Sequence, residues 1–447
     1  MPPPAPAAVP AATFAAIDFG TSNSAVALPA AAGGVELVAL EDGLPTMPTA
    51  VFYRADTPAH QATPDALFGR AAIAAYVEGH DGRLMRSMKS ILGAALLDQR
   101  TDVGGGRALR YRDVVAGYLR ELRRRGEAAA GRPIARVVLG RPVFFVDDDP
   151  LRDARAEAAL RDAALAVGFA EVRFQFEPIA AALDHERQAT QEQLVLVADI
   201  GGGTSDFSLV RVGPARRGRA DRRDDILASH GVHIAGTDFD RHVELAAILP
   251  LLGYRTRRPP RPGDDGPPAE VPSGIYFDLA TWHLINTVYA PARVAELRSM
   301  RSWYAEARHH ARLMRTLEQR LGHALAAAAE RAKIDVATRG TAAIALDELE
   351  PALAATLDEA RAAAAIEADL ERIVQAAHET VRRAGVAPSG VDLLYFTGGS
   401  TGLPALVQRI AAGFPQAERR QGERFASVAT GLGLHAQALW GARTDAG

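Results

Sequence analysis

Two carboxylates in this chain stand at the ends of apolar runs, each followed at once by a glycine and hydroxyl turn. Asp18 lies in IDFGTSNSAVAL (residues 17–28), and Asp199 in VADIGGGTSDFSLV (residues 197–210). Each stretch reads as a strand ending near Asp, a Gly-Thr turn whose backbone N–H groups can approach an anion, and a second strand leading away. An acidic side chain repels phosphate, but it can hold the hydrated magnesium ion that travels with a nucleotide. Two copies of one unit imply two related lobes facing one phosphate chain.

The elements that must carry these turns alternate between strand and helix. Strands are expected within 13–28 and 35–53, a helical region to about Leu97, a loop at Gly104-Gly105-Gly106, and an amphipathic helix over Tyr111–Ala130 ended by Gly131 and Pro133. Ala135–Leu139 reads as a buried strand, 151–168 as an Ala-rich helix, Glu171–Phe176 as a strand, and Glu177-Pro178 as the start of a helix through Leu183. Beyond the second acidic turn, the Pro- and Gly-rich stretch 255–272 is too polar to bury and reads as a loop. Residues 291–330 read as one or two long helices and 347–384 as helical. Val391–Phe396 reads as a strand running into Thr397-Gly398-Gly399-Ser400, with helices from Pro404 to about Gly413 and from Ser427 to Trp440. This alternation argues for α/β layers.

Composition limits what the site can be. A chain of 447 residues exceeds what one core usually encloses. Its net charge of −3 offers no bulk attraction to nucleic acid or an anionic membrane, and neither is expected as a partner. The absence of cysteine excludes disulfides and thiolate metal sites. Residues 1–12 lack the basic and leucine-rich regions of a secretory signal and read as a disordered leader. No run approaches the ~18 apolar residues of a membrane span. A cytoplasmic location is expected.

Six motifs together carry a specific resemblance. IDFGTSNSAVAL, FEPIAAALD (176–184), VADIGGGTSDFSLV, AGTDFD (235–240), ERAK (330–333) and FTGGSTGLP (396–404) occur in one order. That order and spacing resemble the nucleotide-binding domain of the heat-shock protein 70 (DnaK) family, of the actin/hexokinase superfamily. SMKSILG (87–93) and VVLGRPVFF (137–145) resemble the short bacterial members of YegD type in particular. The resemblance implies an actin-like α/β ATPase fold of two lobes, each on a ribonuclease-H-like core, with an enlarged helical subdomain in the second. Lobe I would span 13–196 and lobe II 197–403, with a helical insert at about 250–325. Residues 404–447 would return to lobe I.

It also implies MgATP or MgADP in the cleft between lobes. Gly20, Thr21, Ser22 and Asn23 would form the first phosphate loop, and Gly201, Gly202, Gly203 and Thr204 the second. Asp18 and Asp199 would hold magnesium through water. Lys89 matches the family lysine that reaches the terminal phosphate, and Glu177 the acid that orients the attacking water, with the Thr204 hydroxyl beside it. Glu330 and Lys333 would bond the ribose, and Gly236, Gly398, Gly399 and Ser400 would let backbone pass close to the nucleoside. Catalysis would be positioning and charge stabilisation without a covalent step.

The chain departs from the family at several points. Gly402 and Ile334 occupy the positions where arginines stack on adenine, so weaker or less base-selective binding is expected. Pro142 keeps the family's switch proline, while Glu157 falls where the relay arginine is expected. No peptide-gripping domain follows Gly447 in this sequence, so the expected activity is slow ATP hydrolysis without a substrate domain. The insert at 250–325 is the candidate surface for a protein partner or co-chaperone.

Other readings stay open on the residues alone. Lys89 also reads as a solvated surface lysine, and Glu177 as a plain carboxylate favoured at a helix N-terminus. Arg293, Arg298, Arg301, Arg308, Arg312, Arg315 and Arg320, with Trp303, Tyr304, His309 and His310, suggest a nucleic-acid surface. The interleaved Glu296, Glu306 and Glu318 make a solvated helix face the better reading. The histidines show no metal spacing. A nucleotide-dependent scaffold or actin-like assembly protein is the alternative function, and a small-molecule kinase would need an acceptor base that the sequence does not display.

Overall fold

The computed structural model describes residues 13–30, 34–56, 65–146, 149–217, 219, 221–259, 269–422 and 427–441. The expected leader at 1–12 and half of the proline-rich loop, 260–268, lie outside these residues.

The first lobe begins with β1 (Thr13–Phe19), β2 (Asn23–Pro29), β3 (Val35–Leu37), β4 (Thr46–Pro48), β5 (Ala50–Arg54) and β6 (Ala66–Phe68). It continues through α1 (Gly69–Val77), β7 (Gly82–Arg86), β8 (Arg100–Gly104), β9 (Arg107–Arg110), α2 (Tyr111–Ala130), β10 (Ile134–Arg141), α3 (Pro150–Ala166) and β11 (Glu171–Phe176). After α4 (Glu177–Gln188), the second lobe holds β12 (Gln193–Ile200), β13 (Ser205–Val212), β14 (Ile226–Val232), α5 (Gly236–Val243), α6 (Gly274–Leu279), α7 (Pro291–Ser299), α8 (Ala307–Glu318) and α9 (Gly322–Arg339). Then come β15 (Thr341–Ala345), β16 (Ala354–Asp358), α10 (Glu359–Arg383), β17 (Leu393–Thr397), α11 (Pro404–Ala412), β18 (Glu418–Gln421) and α12 (Ser427–Trp440).

The duplication visible in the sequence extends to topology. One sheet runs β3-β2-β1-β10-β11 and the other β14-β13-β12-β17-β18. In both, the first three strands form an antiparallel meander and the last two join in parallel. The protein is therefore a two-lobed mixed α/β structure of actin-like ATPase form. β1 and β12 sit centrally and are almost wholly buried, each large apolar side chain contributing about 1.5–3 kcal/mol on burial. That burial fixes the strand ends at which Asp18 and Asp199 stand.

Between the sheets lie α4 and α12. A single apolar cluster joins Phe14 and Val138 of the first sheet, Val195, Val197 and Leu393 of the second, Ile179 and Ala180 of α4, and Val428 and Leu432 of α12. The helices cross so closely that a Cβ on Gly431 would lie 1.8 Å from the Ala180 carbonyl oxygen. Glycine is required there for contact, not for backbone freedom.

Several sequence expectations need correction. The stretch before Leu97 is helical only in α1. Gly79 turns the chain with φ +78°, and Gly82–Arg86 then pairs with β5 as a strand, leaving Lys89 on a short 3-10 turn, Met88–Ile91. The helices expected over 291–330 are interrupted at Met300–Glu306, where Tyr304 turns inward to meet the Tyr276 hydroxyl at 3.0 Å, and again where Arg320 takes φ +55°. Residues 347–358 are not helical, because β16 pairs with β15 as a hairpin. Ala342, Ile344, Ala355 and Leu357 alternate inward, a period of two obscured by alanine. The crossing back from lobe II also comes later than residue 404. β18 still pairs with β17 and α11 packs on α10, so α12 alone returns to the first sheet. Among the described residues no helix is long and apolar enough to cross a membrane.

Candidate active site

Every candidate residue from Asp18 to Ser400 lines one cleft of about 780 Å³ between the lobes. The two acidic turns face each other across it, so that a Cβ on Gly202 would lie 2.7 Å from the Ser22 Oγ. Both turns are braced. Thr49 donates to the Gly20 carbonyl at 2.8 Å, while the Thr237 and Ser400 hydroxyls donate to the Gly202 and Gly201 carbonyls, each at 2.6 Å. Backbone N–H groups of Gly236 and Thr237 also reach the second turn, at 3.2 and 2.8 Å. The loops are thereby fixed before any ligand arrives.

β11 ends where α4 begins, and that junction presents Glu177 to the cleft. Its Oε1 accepts from Lys89 Nζ at 2.5 Å, joining residues 88 apart in sequence. The surface reading of Lys89 fails here, because its side chain is only 10% exposed. Burial alone would lower the Lys89 ammonium pKa, but Glu177 and Asp18 outweigh it and raise the value. Burial, then the charge of Glu177, lifts Asp18 to about 7. Burial, then Asp206, Glu177 and Asp18, lift Asp199 to about 8.

Asp206 is a functional candidate that the sequence reading missed. Strand register places it directly opposite Asp199, where it accepts from the Thr204 hydroxyl at 2.7 Å. Burial and Glu177 raise its pKa. Its place two residues after Thr204, at the start of the strand leaving the turn, was the signal available. Arg86 and Trp282 also line the cleft, and no spacing in the sequence links them.

Farther along, Lys333 Nζ pairs with Asp240 at 2.6 Å and donates to the Gly236 carbonyl at 3.2 Å. Glu330, Ile334, Ala337, Gly402 and Leu403 share this end. Ile334 is 52% exposed, an apolar face open to a ligand. At the mouth beside Pro142, Glu157 is held by Arg141 at 2.5 Å and Arg161 at 3.0 Å.

Asp18, Asp199, Asp206 and Glu177 together outnumber the one ammonium among them, which favours a hard divalent cation. Among the described residues no three His, Asp or Glu side chains converge to ligate a metal directly. Such an ion would take water and ligand oxygens for the rest of its shell.

A model of the Hsp70 protein family matches residues 14–246 and 300–446. The chain belongs to the Hsp70 family. Members of this family bind ATP or ADP. The stretch between the two matched segments covers much of the helical insert. Among Hsp70 relatives, the chain is 29% identical over 230 residues to the chaperone protein DnaK of Thermosipho melanesiensis, covering 51% of this chain and 34% of that protein. It is 31% identical over 247 residues to a chaperone protein HscA homolog of Pseudomonas aeruginosa, covering 51% and 36%. The match spans about a third of the length of each.

Proposed function

We propose that the protein binds MgATP in the interlobe cleft and hydrolyses it slowly, as a chaperone-type ATPase related to the YegD-type members. The observation that carries this reading is the convergence of both acidic turns with the Lys89–Glu177 pair in one cleft. Magnesium, bound through water to Asp18 and Asp199, would neutralise charge on the phosphate oxygens. Lys89 would donate to the terminal phosphate and to the attacking water, and Glu177 would orient that water. Hydrolysis is slow in this reading because Lys89 and Glu177 engage each other at 2.5 Å and must exchange that contact for water. Glu330 and Lys333 would position the ribose, and the Gly236 and Gly398–Ser400 backbone would flank the nucleoside.

The 250–325 insert is proposed as a protein-binding surface in a cytoplasmic setting. Arg293, Arg298 and Arg308 pair with Asp278, Glu318 and Glu306, while Tyr304, His309, His310 and Arg312 are buried, Arg312 on Glu350. This neutralisation supports a solvated face over a nucleic-acid surface.

The deciding experiment is MgATP turnover by the purified protein beside Lys89→Ala and Glu177→Ala, with affinity measured for each. Turnover should fall in both variants while binding persists. Unchanged turnover in either would remove that residue from the mechanism, and absence of nucleotide binding in the parent would remove the reading.

A further inference from the structure

Among the described residues, three full cations line the cleft: Arg86, Lys89 and Lys333. Lys89 is paired with Glu177 and Lys333 with Asp240. The Arg86 guanidinium has no ion pair or hydrogen bond with any described residue, its backbone pairing opposite Ala50 in the sheet. Its guanidinium carbon instead sits 4.3 Å from the centroid of the Trp282 ring, and the carboxylate whose field reaches it is Glu330. Arg86 stands at the end of β7 in lobe I, three residues before Lys89, whereas Trp282 follows α6 in lobe II.

The indole is itself held from both sides of the cleft. Tyr76 of α1 stacks on it at 5.1 Å and His323 of α9 approaches at 5.0 Å. Tyr76 and His323 meet at 5.2 Å. A guanidinium stacked by its face keeps its N–H groups free at the edge, a planar fork suited to paired phosphate oxygens. The cleft has need of such a fork. Six carboxylates line it, and the two lysines are already committed to two of them.

We propose that Arg86 grips the phosphate chain of the bound nucleotide, with Trp282 of the opposite lobe holding its guanidinium plane, so that the contact is complete only when the lobes are closed. This rests on the nucleotide reading above. It makes Arg86 a phosphate-selecting residue supplied by lobe I, and Trp282 the positioning residue that couples it to lobe II.

The test is calorimetric affinity for MgATP, MgADP and adenosine in the parent, Arg86→Ala, Arg86→Gln, Arg86→Lys and Trp282→Ala. Loss of a charge-assisted contact should weaken MgATP and MgADP about 10- to 100-fold in the Ala and Gln variants. Adenosine should bind as in the parent. Arg86→Lys should recover only part of the loss, because it lacks the fork, and Trp282→Ala should fall between. The Gln variant keeps the polar side chain, so one folded variant of the pair suffices. Parent-like MgATP affinity in Arg86→Gln, or an equal loss for adenosine, would overturn the inference while leaving the nucleotide reading intact. A parent that binds MgATP no better than adenosine would overturn both.

Discussion

Replacing Asp199 by Asn should stabilise the nucleotide-free protein while removing its response to MgATP. The folded state keeps the Asp199 proton up to about pH 8, against an ordinary 3.8. Between those values the folded chain binds more protons than the unfolded chain, so stability falls as pH rises. This one group contributes a slope approaching 1.4 kcal/mol per pH unit, roughly. Across the whole window the cost is on the order of 5 kcal/mol. Water in the cleft and the amide's own desolvation reduce the expected gain of Asn to roughly 2–3 kcal/mol. Urea midpoints from pH 5 to 9, with and without MgATP, measure it. The variant should have the higher midpoint, with a gap that widens to about pH 8 and then holds, and MgATP should raise only the parent. Equal midpoints, or a gap that narrows as pH rises, would refute the electrostatic reasoning.

Two further changes probe other parts of the molecule. Arg222 bonds both Glu186 oxygens, at 2.8 and 3.0 Å, and also Asp225, with all three side chains 2% exposed. Arg222→Leu should cost about 3–5 kcal/mol by stranding buried carboxylates, and adding Glu186→Gln should restore part of it. Denaturant midpoints unchanged by the first substitution would show that the network carries no stability. Ile334→Arg adds a guanidinium to the exposed apolar face beside Glu330 and Lys333, and should tighten MgATP by about 0.5–2 kcal/mol through stacking. Titration showing no gain would mean that the base does not lie on that face.

Glu186 and Glu177 mark opposite ends of α4. One end is fastened to lobe II through Arg222 and the Gly213 N–H, 3.1 Å away, and the other meets Lys89 of lobe I. The fastening through Arg222 was not legible beforehand, because residues 186 and 222 carry no periodicity that pairs them. Local signals worked where the deciding physics is local. Tyr111–Ala130 was bounded correctly because Val114, Val115, Tyr118, Leu119 and Leu122 form one buried stripe and Gly131 turns the chain with φ +63°. They failed at 347–358, where alanine fits either strand or helix and pairing with Thr341–Ala345 decides between them.

The sequence by itself determined the paired acidic turns, the glycine and hydroxyl residues that allow close backbone approach, and the candidate lysine and glutamate. Side-chain type and nearest-neighbour spacing suffice for the turns, while the lysine and the glutamate came from the ordered motifs of the family resemblance. Only the tertiary structure brought Lys89 onto Glu177, set Asp206 opposite Asp199, and laid Arg86 of one lobe on Trp282 of the other. Those contacts depend on strand register and lobe closure, which sum many distant interactions and leave no local trace in the order of residues.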